Sequence, residues 1–176
     1  MSESKALMEQ HLKVEIGRLS SLIGLTGWYV PTFDNRDGAH PFITACENGE
    51  LVYRAFERGE PCFERCTCDP DELLYWAFDD ATARLARDWT NKQQPLVGEE
   101  YLAAKWKRRA TLLHAMHPEW AERWRAELIE HLGPEGDQHL VPTLPPPPLI
   151  LDPPERAPLP VRLRRWWRRL PGCQTR

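Results

Sequence analysis

No apolar run in these 176 residues is long enough to cross a bilayer as a helix, which excludes a helical membrane protein. The opening stretch, MSESKALMEQ, lacks the basic start and apolar core of a secretory signal, so the expected location is the cytoplasm. Gly-rich phosphate loops, nucleophile elbows and Cys–His pairs at a recognised spacing are all missing, and with them the chemistries those motifs carry. No enzyme and no cofactor is therefore expected. Cysteine is scarce and odd in number, five in all, which fits reduced thiols better than a disulfide framework. There is no internal repeat.

Excess positive charge is also lacking. The formal net charge is −3, and through Pro134 there are 16 Lys and Arg against 22 Asp and Glu, with 7 against 4 beyond it. An acidic body argues against nucleic acid as its partner, because phosphate binding needs clustered cations, and it suits a partner that is itself basic.

What is present reads as an α+β chain. Met8, Leu12, Ile16, Leu19, Leu22 and Ile23 recur at helical spacing from Ser4 to about Ile23, and Gly24 and Gly27 end that helix. Four short runs rich in β-branched and aromatic residues follow: Trp28 to Phe33, Pro41 to Cys46, Leu51 to Glu57 and Pro61 to Cys66. They predict an antiparallel meander of three to four strands, with Asn48-Gly49 as the expected tight turn. Asp69, Pro70 and Glu72 then give the start of a second helix running to about Asn91, with Leu73, Leu74, Ala77, Phe78, Ala81 and Leu85 on its apolar face. A third helix is predicted from Glu99 to about His114 and a fourth from Glu119 to Leu132, closed by Gly133-Pro134.

Ten of the 17 prolines fall between Pro134 and Pro160, and the segment from Val161 to Leu170 mixes five Arg with two Trp. The expected organisation is a globular domain over 1–134, a Pro-rich linker over 135–160 and a disordered basic tail over 161–176.

One sequence of residues carries a resemblance. It runs from the strand Tyr53-Arg54-Ala55-Phe56-Glu57-Arg58-Gly59-Glu60 through Glu64-Arg65, Thr67 and Asp71-Glu72-Leu73-Leu74-Tyr75-Trp76. It continues through Pro118-Glu119-Trp120-Ala121-Glu122-Arg123 into Glu127-Leu128-Ile129. This pattern resembles the immunity protein 63 family, antidote proteins encoded beside toxins in bacterial polymorphic-toxin and contact-dependent competition loci. The resemblance implies a non-enzymatic protein whose partner is a cognate toxin domain. Glu57, Arg58, Asp71, Tyr75, Trp76, Asp79 and Asp80 lie on or beside that pattern and are the candidate partner-binding residues. The chain departs from the family pattern at Asn91 to Trp106 and in the tail.

Other clusters are weaker. Cys62, Cys66 and Cys68, with Cys46 on a neighbouring strand, lack common zinc-ligand spacing, and His114 and His117 are separated from Glu119 by a helix-breaking Pro118, so no metal is expected. A small enzyme centred on these histidines and nearby carboxylates is a third reading. The alternative function is a membrane-surface adaptor held by Arg162 to Leu170.

Overall fold

The computed structural model describes residues 3–93 and 95–144. The element order is α1 (Glu3–Leu22), β1 (Phe42–Ala45), β2 (Leu51–Glu57), β3 (Glu60–Thr67), α2 (Pro70–Asn91), α3 (Gly98–Met116) and α4 (Pro118–Leu132). This is the α+β arrangement expected: a helix, an antiparallel meander, then three helices. The proline run from Pro145, the Arg–Trp segment and the linker beyond Leu144 lie outside the described residues.

The sheet has three strands in the order β1-β2-β3, all antiparallel. Ile43 faces Tyr53 and Ala45 faces Leu51 across β1 and β2, while Tyr53 faces Arg65 and Arg54 faces Glu64 across β2 and β3. Alternation then places Ile43, Ala45, Leu51, Tyr53 and Ala55 on one face, and all five are at most 5% exposed. β3, one of the two edge strands, is exposed along most of its length. The register shifts between Ala55 and Phe56, leaving Cys62 unpaired between Pro61 and Phe63.

Three of the four runs form strands, within the three to four expected. Trp28 to Phe33 contributes a 3-10 turn at Gly27–Tyr29 and a lone parallel bridge from Thr32 to Phe42. The positive φ at Gly24 and Gly27 turns the backbone on both sides of Leu25 and Thr26, and Pro31 supplies no N–H for a ladder.

Two turns close the meander in different ways. Between β1 and β2 only Gly49 has positive φ, 89°; Asn48 instead accepts the Glu50 N–H on its side-chain oxygen at 3.1 Å. The tight two-residue reversal is Arg58-Gly59, with φ of 54° and 85°. Two consecutive positive φ values match the twist of the flanking strands.

Asp69 caps α2 as its side chain predicts, accepting the Asp71 N–H on Oδ1 at 3.0 Å. Pro118 opens α4, and Gly133, with φ 66°, closes it by donating to the carbonyls of Ile129 and Glu130.

The described residues fall into two compact units, one of residues 3–17 and 31–77, the other of 18–30 and 78–144. The first contains the sheet, with Met8, Leu12 and Ile16 of α1 and Leu73, Leu74, Tyr75 and Ala77 of α2 buried. The second is helical, and its core includes Phe78, Leu113, Trp120 and Trp124. Phe78 and Trp120 lie 6.2 Å apart between centroids, near parallel. The buried hydroxyls of Thr82 and Thr90 bond back to the carbonyls of Asp79 and Ala86, so neither is left unsatisfied in the core.

After α4 the chain makes a 3-10 turn at Gln138–Leu140. Gln138 donates to the Gly133 carbonyl at 2.6 Å, and Arg125 donates to that of Pro142 at 3.2 Å. Residues 138 and 142 are thus held against α4.

Candidate functional site

The β2–β3 hairpin tip presents Glu57, Arg58 and Glu60, all exposed. Because Arg58 adopts the left-handed conformation that favours glycine, its side chain sits at the apex of the turn, flanked by carboxylates. Behind the tip, Arg54 is held in place. Its guanidinium lies 5.4 Å from the Phe42 ring centroid and 5.7 Å from that of Phe56, and it donates to Glu64 and Thr44, each at 3.3 Å. The sheet face carrying Arg54 is therefore committed to the fold.

On α2, Asp71 sits in the first turn, where a carboxylate complements the positive end of the helix dipole. Tyr75 is 2% exposed and belongs to the core, so it offers no surface to a partner. Its neighbour Trp76 is half-buried, with the Arg65 guanidinium 5.8 Å from its ring centroid. The two aromatics divide because adjacent helical positions are about 100° apart around the axis, a full turn being 3.6 residues.

Asp79 and Asp80 fall in the helical unit, and each has a cationic partner. Asp79 pairs with Arg109 of α3 at 2.5 Å, and Asp80 pairs with Arg84 one turn on. Burial pushes the Asp79 carboxyl up, and Arg109 only partly offsets that. The pair reads from sequence as solvated surface; Asp79 is half-buried in a helix junction. The seven candidates are divided between the two units: Glu57, Arg58, Asp71, Tyr75 and Trp76 belong to the sheet unit, and Asp79 and Asp80 to the helical one.

Among the described residues, no group of three or more His, Cys, Asp or Glu is arranged to hold a metal. Cys46, Cys62 and Cys66 are free thiols. Burial, then the carboxylates of Glu50 and Glu64, push the Cys66 thiol up, which disfavours the nucleophilic thiolate. His117 stacks on Trp120 at 5.2 Å, with Glu119 3.8 Å from its Nδ1. No described helix is long and apolar enough to cross a membrane.

Sequence reasoning missed the arginines that organise both units, Arg54, Arg65, Arg108 and Arg109. Each lies near an aromatic ring from another strand or helix, and Arg54 also near Phe56, two residues on along its own strand. The available signal was the frequency of Arg opposite aromatics, without a fixed spacing.

Residues 47–130 match the family model of Immunity protein 63. On that span, the chain is similar to the immunity protein 63 family. The match runs from the turn before β2 nearly to the end of α4, just under half of the chain, and includes the hairpin tip and α2. It covers most of the segment from Tyr53 to Leu132 on which the resemblance was read. No curated protein and no solved structure matches the chain. The match relates this chain to immunity proteins of toxin systems.

Proposed function

We propose that this chain is an immunity protein 63 member, a cytoplasmic antidote that binds a cognate bacterial toxin domain non-covalently and blocks its active site or substrate access, with no catalysis of its own. The observation that carries this reading is the family match over residues 47–130. We assign the activity to residues 1–134.

The physical support is on the sheet unit. Glu57, Glu60 and Asp71 are surface carboxylates on an acidic chain, and Trp76 keeps part of its indole accessible beside Arg65. Carboxylates at the rim speed encounter with a basic partner, while a half-buried Trp beside an Arg is the kind of anchor on which binding energy concentrates. Arg58, projecting from the strained apex, supplies one cation between the two glutamates.

The test is co-expression of the chain with the toxin domain encoded beside it, followed by a growth-rescue assay and a pull-down. Rescue with a stable complex is expected. Glu57→Lys and Asp71→Lys together should slow association and reduce its salt dependence, and Trp76→Ala should speed dissociation, costing about 2 kcal/mol of binding. Failure to bind or protect against any neighbouring toxin domain would sink the proposal.

A further inference from the structure

A second surface of opposite character lies where α2 ends and α3 begins. On α3, Tyr101, Lys105, Arg108 and Leu112 recur at steps of four, three and four and so share one face. Leu112 is 4% exposed and anchors that face in the core; toward Tyr101 it comes to the surface. The Arg108 guanidinium lies 5.3 Å from the ring centroid of Trp89, which is 38% exposed. Lys105 Nζ lies 5.5 Å from the Tyr101 ring, and the Tyr101 hydroxyl donates to Asn91 Oδ1 at 3.0 Å, tying the start of α3 to the end of α2. Val97, just before α3, is 75% exposed.

The charge on this face is not neutralised. Arg109 is engaged with Asp79, but Lys105 and Arg108 on this face, and Lys107 about 100° round the helix beside it, have no carboxylate partner among the described residues. A guanidinium stacked on an indole uses its flat face and keeps its in-plane N–H donors for a carboxylate, which it can grip with two parallel bonds. Three cations without a carboxylate partner, beside an exposed Val and two aromatics, complement an acidic segment that also carries apolar side chains.

We infer that this corner of α2 and α3 is a docking surface for an acidic, partly apolar segment of a protein partner. Arg108 takes a carboxylate, Lys105 and Lys107 add attraction, and Trp89 with Val97 receives apolar side chains. This goes beyond the toxin-blocking reading, whose surface on the sheet unit is mainly acidic.

The experiment does not depend on any toxin. The isotope-labelled full chain is titrated at low ionic strength with a short peptide of glutamate, aspartate and leucine, followed by NMR. A lysine–leucine peptide of equal length and a single-stranded oligonucleotide are run beside it. Saturable shifts are expected at the Trp89 indole and along residues 97–108 with the acidic peptide. Reversing charge with Lys105→Glu and Arg108→Glu should weaken that binding about tenfold and confer binding of the lysine peptide. Should Arg108→Glu unfold the chain, Lys105→Glu with Lys107→Glu carries the same comparison. No saturable shift, shifts centred elsewhere, unchanged affinity in the reversed variant, or tighter binding of the oligonucleotide would each overturn the inference.

Discussion

Arg109 of α3 donates to Asp79 of α2 twice, at 2.5 Å to Oδ1 and at 3.2 Å to the backbone carbonyl oxygen. Its guanidinium also lies 5.2 Å from the ring centroid of Trp124 on α4, so one side chain engages three helices. Breaking one partner of a half-buried pair leaves the other charge without compensation, which is costlier than the pair's net worth.

Arg109→Met should therefore destabilise the chain by about 2 kcal/mol, less than a fully buried pair would lose because both side chains keep some solvent. The pH dependence separates the charge from the packing. The Asp79 carboxyl titrates above its ordinary value of 3.8, burial outweighing Arg109, so the native state holds a proton that the unfolded state has released. Asp79's contribution to stability accordingly falls as pH rises from 3.8 through the native value. Denaturant melts of Asp79→Asn and the wild type should show the variant gaining relative stability across that rise, and Arg109→Met should steepen the wild-type slope.

The Tyr29 hydroxyl donates to the Asp88 carboxylate and so ties the turn after α1 to α2 within the helical unit. That bond, then one from Arg87, holds the Asp88 carboxyl below its ordinary value, and the same bond raises Tyr29. Tyr29→Phe should cost about 1 kcal/mol at neutral pH, the discounted worth of a charge-assisted bond in a partly exposed setting. The gap between variant and wild type should close as pH falls below 3.8 through the native Asp88 value. It should close again as pH rises above 10 through that of Tyr29. Paired melts at acid, neutral and alkaline pH check both ends.

Arg58 occupies the left-handed region at φ 54° in the hairpin apex. A β-branched side chain is least tolerant there, so Arg58→Val should cost about 1–2 kcal/mol, whereas Arg58→Gly and Arg58→Asn should be close to neutral or slightly stabilising. Chemical denaturation ranks the three. The same series separates the turn's shape from the Arg58 charge in the proposed toxin binding, since Asn keeps the first and loses the second.

The helices were legible from sequence because their signals are local. Asp69 before Pro70, Pro118 at the start of α4 and Gly133 at its end are caps whose physics acts within one turn, and each is found in place. The strands were legible by alternation, except where local backbone geometry overrode composition. Trp28 to Phe33 has the aromatic and β-branched content of a strand, yet it opens in a 3-10 turn and joins the sheet by one bridge. Turn type was misassigned between Asn48-Gly49 and Arg58-Gly59, because arginine rarely adopts the conformation it takes here. The functional surface was the least legible part. Whether Asp79 faced solvent depended on Arg109, thirty residues on, and whether Tyr75 or Trp76 was accessible depended on packing around α2.

The family match begins at residue 47, after β1 ends at Ala45, although β1 pairs with β2 through four consecutive residues of each strand. A chain trimmed to the matched span would strip β2 of that neighbour and leave its N–H and C=O groups open on one side. Bared strands of this kind, rich in Val, Tyr and Phe, recruit copies of themselves. Four residues outside the matched segment thus cover an edge that β2 would otherwise present to other chains.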